Sequence, residues 1–424
     1  MSQTSEAESS EEAADSESTN GQKMSSLEEA DAKDYFSDRD LSGEVDESDA
    51  ITISLNGNTA LADSDKVSIN GTTITIKEEG TYILEGNLQD GNIIIDADQE
   101  AKVQLVLNGA TINSKTFAPI YVINADKTFV TLSSGTENEL SNGGSFTQID
   151  DNNVDAVIFS KDDLTINGSG SLTINSPAGH GIVSKDEITI TGGILTITSA
   201  QTAIKANDGI AIAGGSFTLN ADSDGLHAEN DDDDSLGYIY IKDGTFNIMA
   251  GDDGIHATTT LVVDGGDFDI QAVEGMEATN ITINDGNINI QASDDGINAS
   301  SKSSAYSVKI TFNGGNTTIV MGAGDTDGVD ANGDIEINGG TIDVTGNSTF
   351  DYDNTGVING GTVIVNGEEV TTLPEQMMGG PGKMNGTDKN GGQGGPGAPD
   401  GEPGNMGPRP DDMGRAPRDM NGGV

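Results

Sequence analysis

From Gly181 onward one five-residue phrase keeps returning: an acidic residue and Gly, then an aliphatic, a polar residue and Ala. It reads Asp224-Gly225-Leu226-His227-Ala228, then Asp253-Gly254-Ile255-His256-Ala257 and Glu274-Gly275-Met276-Glu277-Ala278. It continues as Asp295-Gly296-Ile297-Asn298-Ala299 and Asp327-Gly328-Val329-Asp330-Ala331, with looser copies around Ile182 and Ile204. The Gly (or Ala) of each copy falls at 181, 203, 225, 254, 275, 296 and 328, so four of the six steps are 21 or 22 residues. A period this short, built from strands and turns alone, is the mark of a solenoid.

Two further phrases fill each repeat, for example Ile188-Thr189-Ile190 and Leu195-Thr196-Ile197, or Leu261-Val262-Val263 and Phe268-Asp269-Ile270. All three alternate apolar and polar residues with period two, as strands with one buried face do. Gly-Gly and Asp-Gly pairs between them supply corners. Three strands per turn, stacked at about 4.8 Å, predict an all-β chain folded as a parallel β-helix, ahead of a β-sandwich, which would not demand one phrase at one period. The two long steps place loop insertions at 229–237 and 300–307.

Composition sets the boundaries. Residues 1–49 are rich in Ser, Glu, Asp and Ala, and read as a disordered acidic tether. Residues 50–148 are β-rich but irregular: a cap and the first coils. Residues 149–370 are the regular coils, and 371–424 form a Gly/Pro/Met-rich disordered tail. No apolar run reaches 18 residues, so no transmembrane segment is expected, and no signal peptide is visible. An acidic, Ser-rich leader of this kind suits a surface lipoprotein whose signal peptide and lipidated Cys lie upstream. The expected location is therefore extracellular.

The chain carries 19 basic and 71 acidic residues, a net charge of −52. Nucleic acid is thereby excluded as a partner bound through charge attraction. The charge is also patterned. Within the phrase the aliphatic and the Ala share one parity and point inward, so the residue between them points outward. Going up the coils this position holds Lys205, His227, His256, Glu277, Asn298, Asp330 and Asp351. The turn position before Gly holds Asp224, Asp253, Glu274, Asp295 and Asp327, with Asp222, Asp252, Asp294 and Asp325 beside them. His180 reads as a turn residue.

Like charges about 5 Å apart repel by about 1 kcal/mol in water and by about 3 at an effective dielectric of 20. Two columns of such groups call for a counter-charge, and Ca²⁺ with its six to eight oxygen ligands suits them. The expected calcium ligands are Asp224, Asp252, Asp253, Glu274, Glu277, Asp294, Asp295, Asp327 and Asp330. Lys205, His227, His256, Asn298 and Asp351 are the expected ligand-binding residues. Short acidic residues in ordinary Asx turns are the plainer explanation for any one copy.

Catalysis is not expected. A lyase acting on uronates needs a base, and Arg occurs only at 39, 409, 415 and 418, all in the two expected tails. Lys205 is the remaining choice, and a lysine among carboxylates keeps its proton.

The order of phrases is itself informative. Val103-Gln-Leu-Val-Leu107 is followed by Pro119-Ile-Tyr-Val122, Leu132-Ser-Ser-Gly-Thr-Glu-Asn138, the Asp-Gly-Ile-x-Ala coils and the Gly/Met/Pro tail. Over roughly 50–367 this resembles a family of bacterial surface β-helix domains known as carbohydrate-binding. The resemblance implies a right-handed parallel β-helix shaped like pectate lyases. It further implies binding of plant cell-wall polysaccharide, including polygalacturonate, with Ca²⁺ in acidic turns and no established catalysis. The coils carry few aromatics and no Trp, which departs from a cellulose-stacking surface. The expected function is calcium-dependent binding of an acidic, pectin-like polysaccharide at the cell surface. The alternatives are a calcium-stiffened surface spacer or adhesin, and a calcium-dependent lyase.

Overall fold

The computed structural model describes residues 35–323 and 326–374. Each coil holds three short strands, as in His180–Ser184, Glu187–Ile190 and Ile194–Ser199. Every strand pairs in parallel with its counterpart one coil on: Ile182 with Ile204, Ile188 with Ile210, Leu195 with Phe217. Three parallel ladders result, and the molecule is a parallel β-helix. The second and third ladders merge near the N terminus through one long strand, Lys102–Ser114, which pairs with both Lys127–Leu132 and Glu137–Asn142.

Period-two alternation explains the core. Leu226, Ile255, Met276, Ile297 and Val329 stack inward on the first ladder, all fully buried. Phe217, Phe246 and Phe268 stack on the third, with ring centroids 4.6 and 4.5 Å apart. Burying each such side chain contributes about 1.5–3 kcal/mol. The Gly of the repeated phrase serves close approach rather than a positive φ. A Cβ on Gly254 would lie 2.5 Å from the Gly275 carbonyl oxygen and from Ile270 Cγ2. Positive-φ glycines instead mark the corner before the third ladder, as at Gly215 and Gly266.

Antiparallel hairpins close both ends: Val67–Asn70 with Thr73–Ile76, and Thr362–Val365 with Glu368–Val370. Each covers an edge that would otherwise template further strands. No helix among the described residues is long and apolar enough to cross a membrane. The insertions fall at 229–237 and 300–308, and they touch: Ser303 donates to the Asp234 carbonyl at 2.5 Å, and Ser304 to the Asp234 carboxylate.

One boundary is corrected. The leader does not stay disordered to residue 49. From Tyr35 it packs on the outer face of the second ladder, where Phe36 is buried with Ala211 and Tyr240. A helical turn, Asp38–Ser42, carries a buried Asp40 that accepts from Thr165 at 2.6 Å and pairs with Lys127 at 3.1 Å. Arg39 sits 4.4 Å over the Phe129 ring, so it belongs to no tail. The expected tether before residue 35, the tail from 375 onward, and Asp325 lie outside the described residues.

Candidate functional site

The outer side of the first ladder carries the two columns. Strand pairing puts Lys205 opposite His227, His227 opposite His256, and His256 opposite Glu277. Asn298, Asp330 and Asp351 follow in the same register. The column also extends the other way through Val183, Phe159, Tyr121 and Ile94. Its apolar end is roofed by Val154 and Phe117 in a small separate core. That end escaped the sequence reading because those coils lack the acidic-Gly phrase. The signal available was the Ile-Tyr-Val and Val-Ile-Phe runs at 120–122 and 157–159.

The turn column reads Asp224, Asp253, Glu274, Asp295 and Asp327. His180 heads it as the first residue of a strand, not a turn residue. Backbone amides stitch the column together: Asp253 donates to Asp224 Oδ1 and Asp327 to Asp295 Oδ1, each at 3.2 Å.

Both columns are partly covered, and three of their acids are buried. Asp224 is 5%, Asp253 6% and Glu277 7% exposed. Lys302 of the inserted loop at 300–308 lies over Glu277. Asp252 and Asp294, by contrast, are exposed at the turn, outside the two columns.

Toward the N-terminal end cations and acids alternate. The His227 and His256 rings stack at 4.4 Å. His227 Nδ1 lies 2.7 Å from Asp224, and its Nε2 lies 3.2 Å from Glu229. His256 Nδ1 meets Asp253 at 2.6 Å and Glu277 at 3.1 Å. Lys302, from the inserted loop, closes on the other Glu277 oxygen at 2.8 Å. Lys205 reaches Glu229 at 3.7 Å. Burial alone would depress the His256 imidazolium, but its bonds to Asp253 and Glu277 push it up to about 9. Burial would likewise raise Glu277, yet hydrogen bonds from His256 and Lys302 hold it at about 2. Asp224 sits at about 2 because its bond with His227 overrides burial.

Toward the C-terminal end the acids crowd one another, with Asp295 accepting from the Asp327 amide and Asp327 from Ser348. Burial, then the Glu277 charge, push Glu274 up to about 7. Burial outweighs the amide bond from Asp327, and with the Asp294 and Asp327 charges it raises Asp295 to about 6. Burial and the charges of Asp295, Asp327 and Asp351 raise Asp330 to about 7. Asn298 donates to Glu274 at 3.1 Å, while its own Oδ1 is buried with no hydrogen-bond partner. A buried amide oxygen on a strand flanked by Glu277 and Asp330 is the donor chemistry a hard dication takes, so these residues fit calcium.

Beside Lys205 a polar cleft of about 370 Å³ opens between Lys185 and the 229–232 segment.

A parallel β-helix with a polar, partly covered ladder on one side defines a ligand-binding solenoid. The chain belongs to the family described as carbohydrate-binding domain-containing protein, which it matches over residues 70–328. A carbohydrate-binding domain-containing protein of Acetivibrio thermocellus is 36% identical over 135 residues, 31% of this chain and 47% of that protein. The match thus spans about half the length of that relative. A solved structure of a polysaccharide lyase-like protein from C. thermocellum, a gadolinium derivative, is 25% identical with a TM-score of 0.47. That alignment covers 71% of this chain and 99% of the other.

Proposed function

We propose that this chain is a non-catalytic domain of the bacterial cell surface that binds an acidic, pectin-like polysaccharide through calcium. The observation that carries this is the stretch of half-buried carboxyls, raised by burial and by one another, around the buried Asn298 Oδ1 that has no hydrogen-bond partner. Glu274, Asp295, Asp330 and Asn298, with Asp327 and Asp351 above, would hold the ion. Bound there, calcium supplies positive charge shared between protein carboxylates and the carboxylates of a uronate chain. Lys205 and the two histidines line the same ladder and would receive hydroxyls or further carboxylates. The acidic leader supports a place outside the cell, as the tether of a surface lipoprotein.

A second reading has its own support. The amide bonds from Asp253 to Asp224 and from Asp327 to Asp295 join successive coils, so calcium there would stiffen a spacer. Co-sedimentation with calcium-crosslinked polygalacturonate separates the two. The binding domain pellets with the gel and is released by EDTA. A spacer stays in the supernatant while EDTA lowers its melting temperature.

A further inference from the structure

Halfway along the ladder the donor set changes. Among the described residues, Asp253, His256 and Glu277 bring one ligand atom each within 4.8 Å of one another. We propose that these three side chains form a binding site for a transition-metal dication of the zinc class, distinct from the calcium-type stretch beyond it. An imidazole nitrogen with two carboxylates is a borderline N/O set that suits zinc, whereas calcium takes oxygen.

The surroundings support this. Their side chains are 8%, 13% and 9% exposed, so water competes little for them. Two of the flanking atoms are already held. Lys302 takes Glu277 Oε1 at 2.8 Å, leaving Oε2 toward His256, and the Asp253 backbone amide is anchored on Asp224. Outer contacts of this kind orient the ligands of a metal. Tetrahedral zinc needs ligand–ligand edges of about 3.3 Å. The present contacts from Nδ1, 2.6 and 3.1 Å, must therefore open slightly as the ion replaces the Nδ1 proton, which leaves to solvent. Three protein ligands leave a fourth position free. An oxygen of a sugar diol or carboxylate would fill it, making this a second point where the ladder grips a glycan.

The inference stands apart from the calcium reading, because it concerns another ion and other residues. The test uses the full chain without a histidine tag, stripped of metal and kept in excess Ca²⁺. Co²⁺ is added and followed by its visible absorption, then displaced with Zn²⁺. One Co²⁺ per chain is expected. His256→Gln and Glu277→Gln should each weaken it more than about tenfold, and Asp269→Asn, an exposed change on the third ladder, should leave it intact. If wild type takes up no Co²⁺ in the presence of Ca²⁺, or His256→Gln binds it with unchanged affinity, the proposal is overturned. Should His256→Gln fail to fold by circular dichroism, Asp253→Asn takes its place, and the wild-type titration still decides.

Discussion

The two halves of one ladder solve the same electrostatic problem differently. From Lys205 to Glu277, carboxylates are interleaved with two imidazoles and two lysines, so the charge of that half is met largely by its own side chains, although burial still raises Asp253. From Glu274 to Asp351, similarly placed carboxylates raise one another's affinity for protons and sit beside an amide whose carbonyl oxygen has no hydrogen-bond partner. The backbone is the same in both, coil for coil. A β-helix therefore fixes where charges sit, at about one per 4.8 Å, and leaves sequence to decide whether the protein or a bound ion compensates them.

The sharpest way to break the comparison is to remove a cation from the balanced half. His256→Gln leaves Asp253 and Glu277 facing each other, and loss of one partner from a buried pair costs about 3 kcal/mol. Urea denaturation of the calcium-free protein should show that loss. The matching change in the other half, Asp330→Asn, removes repulsion and should stabilise the calcium-free protein by about 1 kcal/mol. A loss of stability there would equate the halves and contradict the account.

The pH dependence should differ as well. Glu274, Asp295 and Asp330 hold their protons more tightly folded than unfolded, since their folded values lie near 7, 6 and 7. Their contribution is therefore full below about pH 4 and is lost as pH rises to about 7. Calcium-free melting temperature should fall by several °C over that interval, on the order of 2–4 °C per kcal/mol, and saturating Ca²⁺ should abolish the fall. His256 acts at a higher range. Its folded value near 9 means its stabilisation persists below about 6.5 and disappears as pH rises through 9. In His256→Gln that alkaline loss should be absent.

The smallest effects belong to the turn. Asp252→Asn and Asp294→Asn change exposed residues off the columns and should shift stability by less than about 0.5 kcal/mol and Ca²⁺ affinity little.

Much of this was legible in the sequence. Register was, because one phrase at one period aligns Lys205 through Asp351 and fixes which side chains share a face. The insertions were, because they lengthen two steps. The cover over Glu277 was not, since it comes from the non-repeating 300–308 loop that brings Lys302 to it. The docked leader was not, because its anchorage is two aromatics, Tyr35 and Phe36, and a buried Asp40 inside an otherwise acidic, Ser-rich run. Composition averages such a segment into disorder. The difference between the halves also needed the structure, because a list of acids does not say which of them a histidine or lysine reaches.

Calorimetric titration of the chelator-treated chain with Ca²⁺, comparing wild type with the double variant Asp295→Asn/Asp330→Asn, tests the central claim most directly. The account predicts that wild type binds Ca²⁺ and the double variant loses it, while His227→Gln in the balanced half retains it. Unchanged Ca²⁺ affinity in the double variant would contradict it.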